Sequence, residues 1–135
     1  MKKPIKLSCF LLFLIVLVSI SCKKNETTTP EREKFLGKWG VHENHNKGDF
    51  EVTISADPNE SSRVFIYNFA AQLPENKATA VISGNSITLD ANQSVGEATN
   101  LHGSGTMSGT TTINWTYSFF QGGDQNNATA VYTKK

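Results

Sequence analysis

Residues 101–120 read LHGSGTMSGTTTINWTYSFF, and this stretch decides the fold. Leu101, Gly103, Gly105 and Met107 share one face of an extended strand. Ile113, Trp115, Tyr117 and Phe119 share one face of the next. A two-residue turn at Gly109-Thr110 would set Ile113 opposite Thr106 and Trp115 opposite Ser104, mixing the two faces. A three-residue turn, Gly109-Thr110-Thr111, sets Met107 against Ile113, Gly105 against Trp115, Gly103 against Tyr117 and Leu101 against Phe119. The longer turn is expected, because bare glycine backbone then lies under aromatic rings that cover it.

The same pattern extends upstream. In VISGNSITL, residues 81–89, a two-residue turn at Gly84-Asn85 pairs Ile82 with Ile87, Ala80 with Leu89 and Ala78 with Ala91, all on one face. Phe50, Val52 and Ile54 alternate with Glu51, Thr53 and Ser55. Val64 and Ile66 lie on one face of another strand, with Phe65, Tyr67 and Phe69 on its opposite face. That second apolar face predicts an additional contact, with either an N-terminal turn or the loop at 70–73. Turn signals recur every ten to fifteen residues, and all ten glycines fall after residue 35. Strands are expected near 38–45, 49–56, 63–70, 77–83, 86–91, 101–108, 112–120 and 127–133. Regular short strands without a sustained helical period predict an all-β sandwich or barrel.

Before the strands, residues 23–30 (KKNETTTP) are polar and read as a tether. Thr29-Pro30-Glu31 has the marks of a helix start, and Phe35, Leu36 and Gly37 would end so short a turn. The alternative is an unordered stretch as far as Lys34. Earlier still, Met1-Lys2-Lys3-Pro4-Ile5-Lys6 is a basic lead, and Cys9 to Val18 is an unbroken apolar run. This is the form of a secretory signal peptide; a spanning helix needs about 20 apolar residues, and Lys23-Lys24 closes the run too early. The expected organisation is a signal peptide over 1–21, an anchor and linker over 22–34, and one barrel domain over 35–135.

The whole chain carries a formal charge of +1. Loss of Lys2, Lys3 and Lys6 with the leader makes the product mildly acidic. Nucleic acid and anionic lipid, which require concentrated positive charge, are excluded as electrostatic partners. The two cysteines, Cys9 and Cys22, precede the domain, which therefore contains no thiol, disulfide or cysteine-bound metal.

Ser19-Ile20-Ser21-Cys22-Lys23-Lys24 resembles the lipobox of bacterial lipoproteins, particularly those of the Bacteroidota, with Ser19 where leucine is usual. The resemblance implies that the Cys22 thiol receives a diacylglycerol and that cleavage follows Ser21. It further implies membrane attachment through Cys22, in the cell envelope and by preference the outer membrane. Two or more acyl chains make a stable anchor where one does not.

Phe35-Leu36-Gly37-Lys38-Trp39 resembles the Gly-x-Trp motif of the lipocalin or calycin superfamily. The phrases VISGNSITL and GSGTMSG and the ending Ala130-Val131-Tyr132-Thr133-Lys134 are similar to small lipocalin-like lipoproteins of the Bacteroidota. The resemblance implies an eight-stranded antiparallel up-and-down barrel preceded by a short helical turn. Gly37 and Trp39 would be structural, with the indole packed across one end. Lipocalins place an arginine of the last strand against that tryptophan; this chain has Lys134 and Lys135 there, and the sole arginine of the 35–135 domain, Arg63, opens an earlier strand.

No catalytic constellation is legible. His42-Glu43-Asn44-His45 is the one compact group of metal-ligand types, but residues three apart on a strand diverge. A catalytic zinc would need a third ligand, with Asp49 or His102 available. Glu43, Asp49 and Glu51 read as a charged rim. Neither Gly-x-Ser-x-Gly nor a phosphate loop is present. The chain is therefore read as a non-enzyme without metal or cofactor. Two functions compete: a carrier of a small apolar or amphipathic ligand, and an interaction module, such as an envelope inhibitor or accessory subunit, with a filled barrel. For the carrier, the expected pocket is Trp115, Tyr117 and Phe119 with Phe50, Val52 and Ile54, because Gly103 and Gly105 leave room and rings with polar tips suit an amphipathic ligand.

Overall fold

The computed structural model describes residues 31–45 and 48–135; the expected signal peptide, the expected lipid site at Cys22 and the expected tether lie outside them. A 3-10 turn, Glu31–Phe35, leads into β1 (Gly37–Glu43), β2 (Phe50–Ala56) and β3 (Arg63–Tyr67). A second 3-10 turn, Phe69–Ala71, precedes β4 (Lys77–Ser83) and β5 (Ser86–Leu89). The chain continues through β6 (Gln93–Val95), β7 (Ala98–Ser108), β8 (Thr112–Gln121) and β9 (Asp124–Lys134).

Eight of these strands form a closed antiparallel barrel. The ladder runs through consecutive strands from β1 to β5, passes from β5 to β7, continues to β8 and β9, and returns to β1. Closure satisfies the backbone of both edges, which an open meander would leave exposed. β6 lies outside the ring, paired with the start of β7. No strand is expected from the sequence between 91 and 101, because a three-residue strand is too short for its alternation to register.

The hairpin registers follow the predicted pairings with two departures. Ile82 faces Ile87 and Ala80 faces Leu89 across the two-residue turn. That ladder stops there, and Ala91, expected opposite Ala78, is exposed beside left-handed Asn92 (φ 60°). Across the three-residue turn, Met107 faces Ile113, Gly105 faces Trp115 and Gly103 faces Tyr117. The expected Leu101–Phe119 pair is absent. An extra residue on β7 between Thr99 and His102 shifts the ladder, with Asn100 at φ 50°, and Leu101 pairs with Gln93 of β6. This bulge lets β7 serve β6 and β8 together.

β3 departs most. Val64 and Ile66 are buried, while Phe65 and Tyr67 are half-buried on the outer side. The Lys77 ammonium lies 3.8 Å from the Phe65 ring centroid and covers it. Phe69, expected beside Phe65 and Tyr67, is instead fully buried. β3 stops at Tyr67, Asn68 takes the left-handed conformation (φ 63°), and the chain turns Phe69 into the barrel.

The end of the barrel where β1 begins is stoppered by the N-terminal turn. Trp39 is completely buried, and its indole N–H donates to Phe35 O at 2.8 Å. Lys134 Nζ sits 4.6 Å from the Trp39 ring and donates to Leu36 O and Lys34 O, at 2.5 and 3.1 Å. Partial burial lowers the Lys134 pKa. Gly37 makes the entry possible with φ 112°, a conformation that side chains resist. Arg32 Nη1 donates to the carbonyls of Asp57 and Glu60, tying the turn to the β2–β3 loop.

Candidate functional site

Five of the six residues expected to form a pocket point into the barrel. Trp115, Tyr117 and Phe119 form one inward row on β8, and Val52 and Ile54 point inward from β2; all are at most 2% exposed. Phe50 is half-buried at the rim and packs against this core. Tyr117 and Phe119 stack with centroids 6.1 Å apart.

The space among them is occupied. Phe69 lies 5.2 Å from the Trp115 ring, 4.7 Å from Tyr117 and 6.5 Å from Tyr132, between centroids. Neither glycine leaves an opening. A methyl group on Gly105 would come within 2.8 Å of the Trp115 indole, and one on Gly103 within 2.5 Å of Tyr117. The Trp115 ring lies over Gly105, as the register requires, and at Gly103 the room is taken by Thr116 O and by Cα and Cβ of Tyr117.

A polar cluster sits within this apolar interior. Glu43 is 2% exposed, and the Tyr117 hydroxyl donates to its Oε1. The sequence reading put Glu43 on a solvated rim with Asp49 and Glu51. Its strand parity, the same as that of buried Trp39 and Val41, was the signal for an inward position. Desolvation holds the Tyr117 phenol protonated far above its usual range, with Tyr132 and Glu43 adding to it. Burial, then the charge of Glu43, does the same for Tyr132. Tyr132 Oη and Trp115 Nε1 are buried without a hydrogen-bond partner among the described residues.

The histidines do not converge. His42 Nδ1 lies 2.8 Å from Asp49 Oδ1 at the surface, and His45 meets the Phe119 ring edge-on at 5.5 Å. His102 Nδ1 is 2.8 Å from Asn100 O. Among the described residues no group of three His, Cys, Asp or Glu side chains is placed to hold a metal.

Two neighbouring hollows lie on the outer surface. One, of about 500 Å³, is lined by Gly40, Phe50, Glu51, Val131, Thr133 and Lys135 among others. Lys38 and Lys135, at 3.3 and 3.4 Å, flank Glu51 and lower its pKa, Lys38 with the larger effect. The other, of about 320 Å³, lies between His42, Asn44, Asn114, Thr116, Thr129 and Val131. Comparison with protein-family models, with curated proteins and with solved structures finds no match.

Proposed function

We propose that this chain is a lipid-anchored envelope lipoprotein of the lipocalin-like kind, whose barrel acts as an interaction module through its outer faces and loops. The observation that carries this reading is the interior itself. Phe69, supplied by the chain, occupies the position against Trp115, Tyr117 and Tyr132 that a bound ligand would need. A ligand site is ordinarily a pre-formed cavity of about 300–1,000 Å³, and the two hollows of that size described above open on the outside of the sheet. No catalytic role is proposed. Attachment rests on the leader and Cys22, and its test is mass spectrometry of the mature N-terminus.

The carrier reading retains one specific observation: Trp115 Nε1 and Tyr132 Oη are buried without partners among the described residues, as polar ends awaiting a ligand would be. Tryptophan fluorescence separates the readings, since Trp39 and Trp115 both report on the interior. Titration with fatty acids, isoprenoids and sterols is expected to leave the emission unchanged. A saturable change that disappears in Trp115→Phe would establish the carrier instead.

A further inference from the structure

We infer that the outer face of β5, β7, β8 and β9 binds a neutral glycan, a polyhydroxylated polymer without carboxylate, sulfate or phosphate groups. The inference rests on the reading that the barrel works through its outer faces, and it names the face and the class of partner.

Charge is segregated around the barrel. Outward positions on β1 to β4 include Lys38, Glu51, Arg63 and Lys77. The outward positions within β5, β7, β8 and β9 carry no Asp, Glu, Lys or Arg; His102 on β7 is the one ionisable side chain among them, and Asp124 and Lys134 stand at the two ends of β9 with inward parity. An ordinary soluble surface places a charged side chain at about one position in four, so a four-strand face without any is a marked departure.

Short hydroxyl and amide side chains stand there in register. One row crosses the strands through Thr88, Ser104, Thr116 and Thr129, all exposed. The next runs through Ser86, Thr106 and Asn114 and ends on Val131. Neighbours in a row are about 4.8 Å apart and successive rows about 6.7 Å apart, as sheet geometry dictates. Hydroxyls and amides both donate and accept, which matches a ligand whose own surface consists of hydroxyls. The hollow of about 320 Å³ lies at the β1 edge of this lattice, lined by Asn44, Asn114, Thr116, Thr129 and Val131, with His42 at its β1 side. Val131, 43% exposed, offers it an apolar spot for the C–H face of a sugar ring.

Other partners fit less well. Polyanions and anionic lipid require cations, which these strand faces do not present. Protein interfaces centre on clustered aromatic or aliphatic anchors and are depleted in serine. Here the exposed large apolar side chains, Val131 and Phe120, lie at separate places, on β9 beside β1 and near the far end of β8.

The test uses the full-length protein in detergent, applied to insoluble cellulose, chitin, starch and β-1,3-glucan, with pectate and dextran sulfate as charged arms. Retention is expected on at least one neutral polymer, released by its soluble oligosaccharides and unaffected by salt. Thr116→Lys and Thr116→Glu should each weaken it at least tenfold, while Thr53→Lys on the charged side of the barrel leaves it unchanged. Should either Thr116 variant lower the melting temperature, Thr129→Lys replaces it in the same row. Failure to bind any neutral polymer overturns the inference, as does retention that survives the Thr116 and Thr129 variants. Retention on a charged arm alone, lost with salt, or a photo-crosslinker at Thr116 that captures only protein, does so as well. The interior tryptophans report separately, so a lipid-binding signal would overturn the filled-barrel reading without deciding the glycan result.

Discussion

Replacing Phe69 by alanine tests whether the inward turn after β3 holds the barrel together. The ring is fully buried and contacts Trp115, Tyr117 and Tyr132. Truncating a buried phenylalanine costs about 3–5 kcal/mol through lost transfer energy and the cavity left behind. An opposing contribution acts in the same segment. Ala70, Ala71 and Leu73 hold φ of 53°, 55° and 76°, and Asn68 holds 63°. A left-handed residue other than glycine costs about 1–2 kcal/mol, least for asparagine. The three strained residues therefore consume about 3 kcal/mol or more, and burial of Phe69 offsets it. Without the ring the segment can relax and recover about 1 kcal/mol, so the expected net loss is about 3 kcal/mol. Urea denaturation followed by circular dichroism measures it. Ala71→Gly, at an exposed position, should add about 1 kcal/mol in the parent protein and nothing in the Phe69→Ala background, because the roughly 1 kcal/mol recovered on losing the ring is the strain at Ala71, while Ala70 and Leu73 stay held. A loss below about 1 kcal/mol for Phe69→Ala, or full additivity of the two changes, would refute the reasoning. The Phe69→Ala cavity should also admit indole or benzene, seen as a saturable rise in melting temperature.

Three further outcomes are expected. Tyr117 and Tyr132 have folded pKa values raised by burial, so their contribution is complete below the unfolded value near 10 and is lost as pH rises above it. Two such phenols give a decline of up to about 3 kcal/mol per pH unit in alkali. Tyr132→Phe should halve that slope and be neutral or stabilising by about 1 kcal/mol at pH 7, since it removes a buried hydroxyl without a partner; calorimetry against pH checks both. Lys134→Met should cost about 1–2 kcal/mol by removing the ammonium from the Trp39 ring and from two carbonyls, with a shift in Trp39 emission. Cys22→Ser should release the protein into the aqueous phase on detergent partitioning, and continued detergent partitioning would refute lipid attachment.

The barrel was legible because alternation on neighbouring strands left one consistent register. Glycines opposite rings chose the three-residue turn, and Ile82 opposite Ile87 chose the two-residue one. What alternation missed were backbone events that interrupt it. Asn68 reverses the side on which Phe69 falls, and the extra residue near Asn100 moves Leu101 from Phe119 to Gln93. Both depend on left-handed asparagines, and asparagine is too common in ordinary turns to announce either. Glu43 was misread for another reason: its charge was weighed above its parity, although Tyr117 across the interior receives the carboxylate. The six candidate residues were found with their neighbourhood, but Phe69, which fills it, lay on what parity makes the wrong face.

The contacts of Lys134 with Leu36 and Lys34 join the two termini of the domain at one pole of the barrel. If Cys22 holds lipid as proposed, the leash to Glu31 is nine peptide links long and reaches at most about 30 Å. The barrel would then ride within about its own height of the headgroups, with the pole bearing Trp39 towards the bilayer. The opposite pole, carrying the loop at 68–76 and the turn at 122–123, would point away, and the β5–β9 face would stand side-on, turned towards whatever lies alongside the membrane.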